Sequence, residues 1–291
     1  MSYGQKVIKY LAIVFAACLT ITILGVVLNI IVSIFGAFIP DNAKGSSYPQ
    51  HHNEVQMEGG IDSEEAFGKV DEINIESGTY SVELIADSSI NGSKVITKNV
   101  SDDINIRYDD NELIIEEKTS WSDVFKHKHA SKGKIYIYVE EGTELDKLNI
   151  DMGVGNFTVE GIKTDELDVD CGVGSLVCKN VTAKKTDIDG GVGSLKCEDC
   201  HINDLDLDGG VGEIDISGEL TGKTELSAGM GEVNIDIYGK RDDYNIKVET
   251  GVGSIIIDGE KYKDTTMFGN NNQSNLLDIE GGVGSVRVDF H

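Results

Sequence analysis

Seven Gly-x-Gly corners constrain this chain more than any other feature of its sequence. They are Gly153-Val154-Gly155, Gly172-Val173-Gly174, Gly191-Val192-Gly193, Gly210-Val211-Gly212, Gly229-Met230-Gly231, Gly251-Val252-Gly253 and Gly282-Val283-Gly284. The first five recur every 19 residues, and the last two intervals lengthen to 22 and 31. A fixed period near 20 marks a stacked repeat, in which a unit buries its apolar face only against its neighbours. One copy shows the pattern. Leu167-Asp168-Val169-Asp170-Cys171 leads into the corner, and Ser175-Leu176-Val177-Cys178 leads out of it. Alternation with period two gives a strand one buried and one wet face, so two short strands meet at each corner. Glycine suits that place because it takes positive φ freely and lets backbones approach closely. The Val between the glycines is expected to point inward.

Stacking the copies produces apolar columns. Val169, Ile188, Leu207, Leu226, Val248 and Ile279 form one, and Leu176, Leu195, Ile214, Val233, Ile255 and Val286 form another. The only prolines, Pro40 and Pro49, precede the repeats, as central strands require, because a central strand cannot spare its N–H. A flexible Gly-rich linker would lack such columns. The fold expected is all-β, a single-stranded β-solenoid-like stack of rungs of about 19 residues over 146–291.

The segment 67–145 is also β but without the strict period, and is expected to cap the stack, since terminal units of a solenoid are atypical. Ile73 to Leu84 reads as a decayed repeat around Gly78. Ile104-Asn105-Ile106-Arg107-Tyr108 and Leu113-Ile114-Ile115 flank the turn formers Asp109-Asp110-Asn111, which is a hairpin pattern. Lys134 to Val139 is a further strand. Two insertions interrupt the pattern. Residues 119–133 hold the only Trp and a mixed aromatic and basic set, Trp121, Phe125, Lys126, His127, Lys128 and His129, a candidate contact loop on an otherwise acidic body. The second, 261–275, accounts for the longest interval and is expected to be an ordinary loop.

Ahead of the β region, Tyr10 to Ile39 is a run of 30 residues without a charge. At about 1.5 Å per residue a helix of that length exceeds the ~30 Å hydrocarbon core of a bilayer. The run is also longer than the apolar region of a cleaved signal peptide. Residues 10–39 are therefore expected to form one transmembrane signal-anchor helix. Lys6 and Lys9 precede it, which places residues 1–9 in the cytoplasm and everything beyond the helix outside a plasma membrane. Residues 40–66 are polar and read as a stalk. The formal charge of the chain is −26, to which residues 1–40 contribute +2, leaving −28 on the remainder. Such a surface repels nucleic acid and anionic lipid.

The order of anchor, irregular β segment and repeats, with Asp151-Met152-Gly153-Val154-Gly155 and Asp170-Cys171-Gly172-Val173-Gly174 as the first motifs, resembles the bacterial adhesin-type family of Gly-rich β-strand repeats known as toastrack domains. The resemblance runs from about Phe67 to His291. It implies a β-solenoid-like domain at the outer face of the cell and a role in adhesion or envelope-stress sensing. The family motif marks turns, not chemistry, so it carries over no functional residue. Where members often read Leu-Pro-x-Gly before the first corner, Val139-Glu140-Glu141-Gly142 lacks the proline.

Two outward columns are acidic: Asp168, Asp187, Asp206 and Glu225 in one, Asp151, Asp170, Asp189, Asp208, Glu249 and Glu280 in the other. Like charges on adjacent rungs repel, and calcium on a ladder such as Asp170, Asp189 and Asp208 would relieve this. The calcium-binding nonapeptide needs Gly-Gly-x-Gly-x-Asp, and Gly209-Gly210-Val211-Gly212-Glu213-Ile214 places Asp215 one residue late. Solvated ladders without a metal are the expectation. Cys171, Cys178, Cys197 and Cys200 face inward, and Cys178 and Cys197 share a column. They read as buried thiols packing as small hydrophobes, with a Cys178–Cys197 disulfide and a metal or redox site as the alternatives. No Ser-His-Asp order, zinc signature or phosphate loop is present, so no enzyme activity and no cofactor are expected. The function expected is a membrane-anchored adhesin or surface binding module for an unknown surface or protein ligand. The alternative is the ectodomain of an envelope-stress sensor that works through a membrane partner.

Overall fold

A computed structural model describes residues 60–101, 104–117, 133–262, 265–269 and 273–291. The charge-free run 10–39, most of residues 40–66 and the candidate contact loop with Trp121, Phe125, Lys126, His127, Lys128 and His129 lie outside the described residues. No helix among the described residues is long and apolar enough to cross a membrane; apart from the short 3-10 turn Arg241–Asp243, the elements described are strands.

The repeats fold as the alternation predicts. The strand Lys163–Asp170 pairs in parallel with Thr182–Asp189 on one side and Glu144–Met152 on the other, each time with a shift of one repeat, so that Ile150, Val169 and Ile188 stand side by side. After the corner, Val173–Lys179 pairs likewise with Val154–Glu160 and with the long strand Val192–Asp208, aligning Phe157, Leu176 and Leu195. The wall of each rung carries three pairs of inward side chains. In the rung after Asn180 these are Val181 and Ala183, Thr186 and Ile188, then Leu195 and Cys197, all buried. Within a pair the spacing is two residues. Between the first two pairs it slips to three, and between the last two to seven, and both odd intervals mark a bend. The third bend falls where Gly161, Asn180 and Asp199 take left-handed φ of 73°, 51° and 53°, a region Gly, Asn and Asp tolerate better than other residues. The rung is thus three-sided, around one continuous apolar core.

The two glycines of the corner at Val192 are glycine on different grounds, although backbone crowding bears on both. Gly193 has φ of 143°, where an L side chain is strained. Gly191 is constrained by proximity: a Cβ there would overlap the carbonyl oxygen of Gly172 on the rung below. The Val between them does not point inward. Val154, Val173 and Val192 are half-buried, and Val211, Met230, Val283 and Val252 are 47%, 43%, 49% and 75% exposed. The reason is phase: Val169 and Leu176 both face the core although they stand seven residues apart, so the bend absorbs one residue and turns its middle position outward.

At both ends the stacking leaves chain order. The decayed repeat, Glu72–Ser77 with Ser81–Asp87, is a true rung, and Glu144–Met152 with Val154–Glu160 stacks directly on it. The intervening pair, Glu112–Glu117 and Lys134–Glu140, stacks on its other side as the outermost rung. Antiparallel strands close this end. Ile104–Asp109 pairs with Glu112–Glu117 through the expected turn at Asp110 and Asn111, with φ of 46° and 66°. Ser93–Val100 pairs with Lys134–Glu140, and Ile61–Phe67 pairs with Ser93–Val100. That first strand starts inside the stretch read as stalk; Asp62, Glu64 and Glu65 hide its alternation because an edge strand is exposed on both faces.

The C-terminal end mirrors this. The last strands, Asn275–Glu280 and Val283–Phe290, slot between Val211–Ser227 with Met230–Ile237 on one side and Tyr244–Glu249 with Val252–Ile257 on the other. The apolar columns hold, but their order is Leu226, Ile279, Val248 and Val233, Val286, Ile255. The insertion expected to be a plain loop supplies two short strands, Glu260–Tyr262 and Thr266–Phe268, that lie antiparallel on the outermost rung. Arg241 ties this cap together: its guanidinium donates to Tyr262 Oη at 2.8 Å, lies 3.4 Å from both Asp258 and Glu260, and stacks over the Phe268 ring.

Candidate functional site

The acidic columns occupy one side of the solenoid, between the bend at Asp165 and the corner. Register fixes them. Asp168, Asp187, Asp206, Glu225 and Asp278 follow one another on adjacent strands and end on Lys247. Nearer the corner run Glu116, Glu76, Asp151, Asp170, Asp189, Asp208, Ser227, Glu280 and Glu249.

These two columns differ in compensation. The outer one has lysines at hand: Lys147 lies 3.5 Å from Asp168, Lys223 2.6 Å from Glu225 and Lys247 2.8 Å from Asp278. In the column beside the corner, Glu116 is the one member with an ion pair among the described residues, to Arg107 at 2.8 Å. Partial burial, followed by the charges of Asp189, Asp151 and Asp168, pushes the Asp170 carboxyl above its ordinary value. Partial burial, then Asp206 and Asp168, does the same to Asp187. The ladders are therefore crowded charge on successive rungs about 4.8 Å apart. Among the described residues no three His, Cys, Asp or Glu side chains are grouped to hold a metal ion, and Asp170, Asp189 and Asp208 form a row rather than a cage.

Beside the uncompensated column lies the ridge that the sequence pattern was expected to bury. Val211 neighbours Met230, Met230 neighbours Val283, and Val283 neighbours Val252. Across the ridge, Glu213 and Glu232 are exposed on the next outward column. Behind it, Gly190 and Ala228 border a narrow channel of about 40 Å³, far below the ~300 Å³ of a small-molecule pocket. The corner glycines from Gly172 onward line this channel, as structural residues.

Cys171, Cys178, Cys197 and Cys200 are all free thiols. Cys178 and Cys197 are neighbours in the core as expected, and Cys200 Sγ lies 3.7 Å from the Cys178 carbonyl oxygen. Hydrogen bonding to Cys178 and burial hold the Cys197 thiol well above its ordinary range. Cys171, half-buried at the channel, is raised by burial to about 11. Cys178, Cys197 and Cys200 are buried and Cys171 is half-buried, so the four pack as small hydrophobes.

Residues 70–278 match the Toastrack DUF4097 family. No curated protein matches the chain. Solved structures similar to it include a candidate cell-adhesion protein from Clostridium sporogenes, at 18% identity and a TM-score of 0.39, covering 80% of this chain and 100% of that one. A candidate adhesin from Bacteroides fragilis matches at 16% identity and a TM-score of 0.41, covering 78% of this chain and 96% of that one. Another, from Parabacteroides distasonis, matches at 17% identity and a TM-score of 0.33 with the same coverages. With the family match spanning more than half of its length, this chain belongs to the Toastrack DUF4097 family.

Proposed function

We propose that this protein is a membrane-anchored binding module displayed outside the cell, an adhesin-type protein that acts by contact and not by catalysis. The observation that carries the reading is the ladder: the same outward side-chain type recurs on rung after rung, which offers an extended, repetitive surface rather than a pocket. The charge-free run from Tyr10 to Ile39 supplies an anchor, and Lys6 and Lys9 orient it with the β domain outside. Protease added to intact cells tests the topology. Digestion of the β domain with the first residues spared is expected; protection until lysis overturns the outside assignment. Capture of surface partners from intact cells by the full chain tests the binding role, and no capture at all overturns it.

A further inference from the structure

The ridge and its acidic flanks identify a kind of partner. We propose that Val211, Met230, Val283 and Val252 dock an amphipathic α-helix whose apolar seam is bordered by lysine or arginine. This deepens the binding-module reading and rests on it.

Three observations support the assignment. First, these four apolar side chains are 43–75% exposed and consecutive on the stack, and a contiguous exposed apolar patch marks an interaction surface more often than a scattered one does. Second, the charge around them has one sign. Asp208, Glu280 and Glu249 border the ridge on one side and Glu213 and Glu232 on the other, all exposed and without an ion pair among the described residues. The basic side chains on the next columns are Lys247, which is held by Asp278, and Arg287. An anionic bilayer is repelled by this rim. A second copy is disfavoured too, because apposing two ridges would bring their carboxylates together. A cationic rim on the partner is attracted, and steered from a distance.

Third, the spacing fits a helix. Rungs about 4.8 Å apart put the four side chains at roughly 0, 4.8, 9.6 and 14.4 Å along the axis. A helix rising about 1.5 Å per residue places positions i, i+3, i+7 and i+10 at roughly 0, 4.5, 10.5 and 15 Å, in step with every rung. An extended strand spaces same-face side chains by about 6.6–6.8 Å and falls out of step at the second rung. Helix-in-groove recognition uses the same i, i+3, i+7 anchors.

The experiment uses the full chain in nanodiscs of zwitterionic lipid, with empty nanodiscs as the blank. The probe is a fluorescent synthetic peptide of leucine and lysine with its leucines on one helical face, and binding is read by anisotropy. Saturable one-to-one binding is expected. The triple variant Val211→Ser, Met230→Ser and Val283→Ser should weaken it by about tenfold or more, equivalent to the ~1.4 kcal/mol or more that three apolar contacts supply. Because those residues are exposed, the melting temperature should stay within a few degrees. As an independent arm, Asp208→Asn, Glu280→Gln and Glu249→Gln should weaken binding and flatten its salt dependence. Equal binding of a scrambled peptide with no apolar face, or an unaffected ridge variant, overturns the proposal in favour of diffuse attraction to acid. Self-association lost in the ridge variant overturns it in favour of a second copy, and binding to anionic vesicles in favour of a membrane. Surface capture by the full chain that persists unchanged in the ridge variant sinks the ridge while the binding-module reading stands.

Discussion

The middle of the solenoid and its two ends solve the same packing problem differently. From Glu144 to Ile237 the rungs follow one another in chain order at the repeat interval, with equivalent side chains in register except where Cys200 to Asn203 pair one residue out of step with Gly218 to Thr221. At each end the outermost rung belongs to an earlier or later stretch than position along the chain would suggest, and antiparallel strands cover its open edge. An uncovered parallel rung would present a full row of unpaired N–H and C=O groups, a template for association with other chains. Slotting the C-terminal rung inside the stack leaves the end to a rung whose following segment can fold back over it. Regular repetition builds the body; irregular topology closes it.

Removing the slotted rung breaks this comparison most severely. Deleting residues 275–291 takes Leu277, Ile279, Val286 and Val288 out of the core, each at most 3% exposed, and strips the neighbours on both sides. Loss of a large buried aliphatic side chain costs about 2–5 kcal/mol, so four together cost about 8–20 kcal/mol, the size of the whole ~5–15 kcal/mol stability of a typical domain. Cooperative thermal unfolding should disappear. Replacing the covering segment 260–268, whose two short strands pair with the outermost rung, by a short Gly-Ser link should leave a cooperative transition at a lower midpoint. If both deletions lower the midpoint equally, the slotted position has no special weight.

Next in size is the corner. Gly193→Val meets both the carbonyl of Gly174 and a left-handed φ. Backbone strain alone costs about 1–3 kcal/mol, and the overlap adds to it. Ser194→Val, on the exposed side of the same strand, should change stability by no more than about 0.5 kcal/mol. Denaturant midpoints of the two variants decide; equal shifts would remove the glycine requirement.

The body of this fold was legible because its alternation is strict. The columns, the decayed repeat at Gly78 and the hairpin at Asp110-Asn111 all follow from side-chain period and turn chemistry. The outward ridge was misread as inward, because the apolar nature of Val outweighed the signal in the odd seven-residue interval from Val169 to Leu176. Rung order was not. Val233 packs equally well against Ile255 or Val286, because β-branched and leucyl columns are interchangeable, and only pairing across some fifty residues decides between them. The edge strand Ile61–Phe67 was hidden for the opposite reason: with both faces wet it has no alternation to read.

A smaller effect concerns the acid ladder, which belongs to the body. Asp170 and Asp187 have raised folded-state pKa values, so protonation favours the folded state. Their destabilising charge is relieved as pH falls from neutral toward the ordinary carboxylate value of 3.8. At the N-terminal end, Asp62, Asp71 and Asp87 have lowered values, from hydrogen bonds to the Asn99 backbone, Lys69 and Ser89 respectively; their stabilisation is present above 3.8 and is lost as pH falls through the folded values. Melting temperature should therefore rise modestly on mild acidification and fall on further acidification. Asp170→Asn should flatten the rise, and a profile unchanged by that substitution would contradict the ladder repulsion. Calcium at constant ionic strength should give no saturable shift beyond screening.

The most direct test of the account reads rung order at the C-terminal end. Asn234, Arg287 and Ile256 stand in one outward column in that order, so neighbours are about 4.8 Å apart and the outer two about twice that. Cysteines placed as Asn234→Cys with Arg287→Cys should form a disulfide on mild oxidation, within the reach of its geometry. The pair Asn234→Cys with Ile256→Cys should not. Bridging of the second pair and not the first would show the rungs stacked in chain order and would contradict the architecture described.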